Sequence, residues 1–197
     1  VTTRREQTSQ ESRELILAAA AELFAEKGYR QTTFADVGER SGISRGSIPW
    51  HFGSKEGLLL AVLERSLDEL RAGLGEPPER VETALDLLAE GAGALFALPT
   101  GRLFVNLLVE ALEPGSPIQG RYVEMHEALR AHGRRVLERL PLPPGLSAEG
   151  LSILLVGAVI GVHQQWLLAP DRVDYQEALA ALRGLMAKAV LPGPEQG

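Results

Sequence analysis

Thr33–Lys55 reads TFADVGERSGISRGSIPWHFGSK, and the order of residue types in it decides the fold of the N-terminal region. Thr33 is an N-cap residue, and Phe34 and Val37 lie on one side of the helix it opens. Gly42 interrupts that helix with a residue suited to the left-handed backbone of a tight turn. Ser44 caps a second, short helix, and Ile43 plugs the angle between the two. This is the layout of a helix-turn-helix. Its second helix enters the major groove of DNA, about 12 Å wide, with its N-terminal residues toward base edges.

The side chains fit that task. Arg45 can reach guanine O6 and N7 as a bidentate donor. Gly46 and Ser47 are small enough for close approach, and the Ser47 hydroxyl can bond a base or a phosphate. Pro49 falls inside a helix begun at Ser44, where a proline costs roughly 3 kcal/mol unless the turn tightens to 3₁₀ geometry. Its ring offers an apolar face to a thymine methyl or to sugar. Trp50 and His51 bring N–H donors for phosphate oxygens. Thr33 and Lys55 stand where helices begin, beside amides that attract anions. Phe52 reads as core. Plainer readings stand beside these: Trp50 as half-buried packing, Arg45 paired with Glu39, Lys55 as an ordinary exposed lysine.

Working outward, Thr8-Ser-Gln-Glu11 has the form of a capping box for a first helix. Leu15, Ile16, Ala19, Ala20, Leu23 and Phe24 then recur at helical spacing, and Gly28 is its stop signal. Ser54 caps a long helix striped by Leu58, Leu59, Val62, Leu63, Leu67 and Leu70. A break, GLGEPP at Gly73–Pro78, follows. Further helical patterns run over 79–97, 102–113, 117–139, 148–168 and 174–190, separated by Pro99-Thr-Gly101, Pro114-Gly-Ser-Pro117, Pro141–Gly145 and Pro170. No segment alternates long enough for a strand. The expectation is an all-α chain of about nine helices. An N-terminal three-helix domain, 1–54, precedes a helical body, 55–197, and helix 55–72 links them.

Composition narrows the function. Among 197 residues, 45% are hydrophobic and 23% charged, as in globular proteins. Cysteine is absent, which removes disulfides, iron–sulfur clusters and thiolate zinc sites. The opening VTTRREQTSQES has no apolar signal-peptide run, and the expected location is the cytoplasm. Residues 1–55 carry eight Lys/Arg against seven Asp/Glu, whereas the remainder carries twelve against nineteen, so the N-terminal end is the one suited to a polyanion.

Three enzyme or membrane signals fail on context. Gly42-Ile-Ser-Arg-Gly46 matches the nucleophile elbow G-x-S-x-G, but that elbow needs a preceding strand, and FADVGERSG reads as helix and turn. His51, His126, His132 and His163 lack metal-ligand spacing, so no metal and no cofactor is expected. Gly150–Pro170 is uncharged and holds Gly157-x-x-x-Gly161, yet its strictly apolar run, Ile153–Val162, is only ten residues long and leads into His163-Gln-Gln165. Burial on two sides, against its own domain and a partner subunit, explains it better than a membrane does.

Ser12–Glu64 as a whole resembles the N-terminal DNA-binding region of the tetracycline-repressor (TetR) family. The likeness rests on Leu23-Phe24…Gly28-Tyr29, Thr32-Thr33, Gly42-Ile43-Ser44 and His51-Phe-Gly-Ser-Lys-Glu56, without a gap. The resemblance implies a transcription factor, not an enzyme. Such a factor binds double-stranded operator DNA as a homodimer and answers to a small-molecule effector, here unknown, held in a divergent C-terminal region. It maps DNA contacts onto Thr33, Arg45, Gly46, Ser47, Pro49, Trp50, His51 and Lys55. Pro49 replaces a tyrosine common in the family. Ala35 stands where a base-reading arginine can occur, which leaves more of the readout to Arg45.

In the body, Phe96, Phe104, Leu107, Tyr122, Met125, His126, His163 and Trp166 are the candidate effector-pocket residues, although aromatics at helical spacing are more often core. Leu151, Leu155, Ala158 and Val162, with Leu179, Leu182 and Met186, mark two apolar helices for a four-helix dimer interface; Leu154 and Leu185 lie on the same helices. Two other classes stay open at this stage: a helical ligand-binding protein or enzyme retaining the fold, and an architectural DNA-binding protein without an effector.

Overall fold

The computed structural model describes residues 4–76 and 99–190, which form eight helices and no strand among the described residues. They are α1 (Arg4–Lys27), α2 (Phe34–Ser41), α3 (Ile48–Phe52), α4 (Lys55–Gly73), α5 (Pro99–Leu112), α6 (Gln119–Leu137), α7 (Ala148–Leu168) and α8 (Tyr175–Val190). The all-helical reading holds. The helix expected at 79–97, with Phe96, lies outside the described residues.

Two boundaries differ from expectation. α1 begins at Arg4, so Thr8 is an interior residue whose carbonyl accepts from the Ser12 hydroxyl at 2.9 Å, and no cap forms there. Pro99, Thr100 and Gly101, expected as a break before a helix from 102, are already helical in α5.

Contacts divide the chain into two compact units. One runs to Leu70 and resumes through Tyr122; the other begins at Arg71 and resumes at Val123. In the first unit α1 buries Ile16, Leu17, Ala20, Leu23 and Phe24, while Leu15 is half exposed. Val37, Ile48, Leu58, Leu59, Leu63 and Leu103 are also buried in this unit. Gly28, at φ 86°, ends α1, and Thr32 ties the following loop with a hydroxyl near the carbonyls of Gly28 (2.9 Å) and Leu23 (3.3 Å).

α4 starts under the Ser54 cap, whose hydroxyl oxygen accepts from the Gly57 amide at 2.9 Å. A Cβ at Gly57 would stand 2.1 Å from the Phe52 carbonyl oxygen. Only glycine lets the start of α4 come this close to the end of α3. Alanine normally improves a helix by about 1 kcal/mol over glycine, but here it forces backbone apart at a cost of about 1–3 kcal/mol. Gly57→Ala is therefore expected to be destabilising by up to about 2 kcal/mol net and to lower the melting temperature by up to about 8 °C. Thermal denaturation checks this, and an unchanged or raised midpoint would refute the close contact.

In the second unit Val136, Leu137, Leu140 and Met186 form a core on which Leu151, Leu155 and Ala148 pack. α7 is apolar nearly all round and is long and apolar enough to cross a membrane by length and composition. Its fully buried positions are nevertheless polar, Ser152 and His163, whereas Ile153, Leu154 and Leu168 are exposed.

Candidate nucleic-acid interface

α2 is held open at its start by a capping box. The Thr33 hydroxyl accepts from the Asp36 amide (3.3 Å) and donates to Asp36 Oδ2 (2.7 Å), which also accepts from the Thr33 amide (2.7 Å). Lys27 lies 2.8 Å from the other oxygen of the same carboxylate. These contacts, Lys27 foremost and then Thr33, hold the Asp36 carboxyl well below the usual carboxylate range. α2 ends at Gly42, whose φ of 71° is the left-handed value the turn requires. Sequence reasoning missed Gly38, where a Cβ would meet Ile43 O at 3.0 Å and Arg45 N at 3.3 Å. The available signal was a glycine inside a helix with no local use for it.

The reading helix starts later than Ser44. Residues 44–47 form a turn, closed by Ser47 N donating to Ser44 O at 2.9 Å, and α3 runs Ile48–Phe52 with Ser47 as N-cap. Pro49 thus sits in the first turn, not in a helix interior, and the expected penalty disappears because its N–H would have had no intrahelical acceptor. Ile48 is completely buried and anchors the segment from below. Around it Arg45, Gly46, Pro49 and Trp50 are exposed, with Trp50 at 75%, while Ser47 and His51 are half-buried.

Each remaining residue has a definite place. Trp50 and His51 rings meet edge-on at 4.6 Å. Partial burial and then the charge of Arg13 push the His51 imidazole below its ordinary pKa, which favours the neutral ring. Phe52 is half-buried and not core, because the Arg13 guanidinium covers its ring at 5.2 Å. The Lys55 ammonium donates to the Arg30 carbonyl at 3.0 Å and lies 4.6 Å from the centroid of Tyr29. It fastens the α1–α2 loop to the start of α4.

The pairing of charges then singles out one residue. Arg13 faces Glu14 and Phe52; Lys27 pairs with Asp36; Arg30 stands 3.9 Å from Glu110; Arg40 pairs with Glu22 and Glu26. Among the described side chains of residues 7–55, Arg45 is the one cation without a hydrogen bond, ion pair or ring contact, and no Glu39 pair forms. An uncommitted guanidinium at the start of an exposed turn is available for a base edge.

Of the effector-pocket candidates, Phe96 lies outside the described residues. In the first unit Leu107 and Tyr122 are buried, and the Tyr122 hydroxyl donates to the Phe104 carbonyl with the two rings edge-on at 5.2 Å. Burial pushes the Tyr122 phenol well up. In the second unit Met125 is buried, and His126 is half-buried and shifted down by burial and then by Arg130. His163, fully buried, and Trp166 meet at 5.6 Å, and Tyr175 joins them at 5.9 and 6.0 Å. Sequence reasoning missed Tyr175. An open cavity of about 580 Å³ beside Trp166 and Tyr175 is lined also by Asp171, Arg172 and Asp174.

On α7 and α8, Leu179 and Met186 are buried in their own chain, and Leu151 and Leu155 pack on its core. Ala158, Val162 and Leu182 are half-buried. The outward apolar surface consists of Ile153 (52% exposed), Leu154 (67%), Leu168 (86%) and Leu185 (69%), with Gly157 between. No group of three His, Asp or Glu able to hold a metal occurs among the described residues.

The profile described as "Bacterial regulatory proteins, tetR family" matches residues 16–62. The HTH-type transcriptional regulator TtgR of Pseudomonas putida is 30% identical over 185 residues, 87% of each chain. The HTH-type transcriptional repressor KstR2 of Rhodococcus jostii is 42% identical over 71 residues, 36% of this chain and 33% of that protein. Among solved structures, a TetR transcriptional regulator from Chloroflexus aurantiacus superposes with a TM-score of 0.77 at 24% identity, covering 93% of this chain and 98% of that one.

Proposed function

This chain belongs to the tetR family of bacterial regulatory proteins and is a helix-turn-helix transcriptional regulator, and from that premise we propose a dimeric repressor that a small molecule releases from its operator. The observation that carries the DNA reading is the contrast within one short segment. Ile48 is sealed into the core, while Arg45, Gly46, Pro49 and Trp50 around it are exposed and Arg45 is uncommitted. Arg45 reads guanine, Ser47 and Trp50 add base or backbone contacts, and the Pro49 ring meets a thymine methyl or sugar. Thr33, His51 and Lys55 contribute where hydroxyl or N–H groups remain outside their internal bonds.

The dimer reading rests on α7 and α8. Ile153, Leu154, Leu168 and Leu185 form an apolar surface of the kind that protein partners cover. A two-fold pairing of these helices buries that surface in a four-helix layer. Two reading segments then fall on successive major grooves, about 34–36 Å apart. An effector held in the body lowers DNA affinity if it prefers a state with a different segment spacing; coupling of about 1–3 kcal/mol is typical of such linkage.

Gel-shift titration with genomic fragments tests the proposal, followed by repetition with a panel of small molecules. Retention of particular fragments and their release by one compound, about 5- to 150-fold weaker binding, is expected. Binding that no compound alters would contradict effector control. Binding to no fragment would contradict the DNA reading itself.

A further inference from the structure

α2 is short, about 12 Å at 1.5 Å per residue, and Val37 is its one fully buried side chain. So small an apolar foot leaves its angle on α1 poorly determined by packing. Both of its ends, however, meet charges on α1. In its first turn Asp36 meets Lys27 at 2.8 Å. In its last turn the Arg40 fork takes Glu26 with two bonds (3.0 and 3.2 Å) and Glu22 with a third (3.1 Å). An acid at the start and a base at the end also suit the dipole of α2. Glu22, Glu26 and Lys27 thus present a charge order on α1 that matches Asp36 and Arg40 in one register only.

We infer that Arg40 is a positioning residue for DNA recognition: with Lys27–Asp36 it clamps α2 to α1 at both ends, and this sets the pose of Arg45. The link from clamp to reader is steric. A Cβ at Gly38, midway along α2, would stand only 3.0 Å from Ile43 O and 3.3 Å from Arg45 N, so α2 lies directly against the reading turn and a tilt of α2 moves that turn's backbone. Exposed single ion pairs contribute little, but a bidentate fork shared between two carboxylates is the geometry in which they contribute most. The inference rests on the DNA-binding reading and assigns Arg40 the opposite role from that suggested by a basic residue beside a reading turn, direct phosphate contact.

The test uses the full-length chain and a duplex enriched from a random-sequence pool by the unmodified protein. Arg40→Glu is expected to weaken binding about fivefold to tenfold, and Arg40→Glu with Glu26→Arg to recover to within about twofold. In both, the slope of log affinity against log salt should stay unchanged, because no phosphate contact is lost. A slope shallower by about one per chain would make Arg40 a phosphate ligand and overturn the inference, as would failure of the double swap to recover. If Arg40→Glu does not fold, as judged by circular dichroism, Arg40→Gln carries the same salt-slope criterion. Enrichment of no duplex at all would instead defeat the DNA reading and is distinguishable from either outcome.

Discussion

Leu154→Asp is expected to leave each chain folded and to raise the dimer dissociation constant by roughly a thousandfold or more. Leu154 is 67% exposed in the single chain, so the new carboxylate there is solvated and the fold loses little. In the proposed two-fold interface the same substitution enters twice, and each unpaired charge is withdrawn from water. Breaking the complementarity of a buried site in this way costs about 3–5 kcal/mol. With two linked segments sharing the operator, as proposed, DNA binding should fall by about 10²–10⁴. Sedimentation equilibrium and gel shift read the two effects. Leu179→Asp is the informative control: Leu179 is 5% exposed, so its carboxylate should unfold the chain before it affects assembly. A Leu154→Asp protein that remains dimeric would place the interface elsewhere.

Arg45→Ala has the next largest expected effect, and of a different kind. Loss of a bidentate guanine contact removes about 1–3 kcal/mol of base discrimination per half-site, roughly fivefold to more than a hundredfold. Folding stability should change little, since among the described residues the side chain makes no hydrogen bond, ion pair or ring contact to lose. Competition between the enriched duplex and one altered at a single guanine separates readout from simple charge loss. The unmodified protein should discriminate between the two and the variant should not. Arg45→Lys should recover part of the affinity and little of the discrimination, because an ammonium lacks the planar fork. Equal losses on both duplexes would mean that Arg45 meets phosphate, not base.

How far the sequence could be read follows from the range of each cause. Thr33, Gly42 and Ser54 were legible because capping and left-handed turns depend on residues within four positions. The start of α3 was not. Ser44 and Ser47 are both cap-forming residue types, and the helix begins after Ser47, at the buried Ile48, without a side-chain cap bond from Ser47. Thr8 misled for a related reason: a capping-box pattern inside a longer helix has no free amide to satisfy. Gly38 and Gly57 respond to backbone five or more residues away, so their necessity is invisible to periodicity. The partners of Arg40 lie fourteen and eighteen residues distant.

The same limit applied to α7 and α8. A helix apolar on every side announces burial but not which face belongs to its own core. The seven interface candidates therefore mixed inward residues such as Leu179 and Met186 with others left half-buried, while the more exposed Leu154 and Leu185 stood beside them. The effector-pocket candidates met a comparable difficulty. The Phe104–Tyr122 pair and the His163–Trp166–Tyr175 group are ring contacts whose partners sit three to eighteen positions apart, and aromatic residues at helical spacing do not reveal whether they face core or cavity.

Hydroxyl-radical footprinting of the purified protein on the duplex it enriches tests the paired reading head most directly. Two protected patches are expected on one face of the helix, related by a two-fold axis and centred about 34–36 Å apart, one turn of DNA. A single patch, or protection that follows no sequence, would contradict a paired reading head built from two copies of Thr33–Lys55.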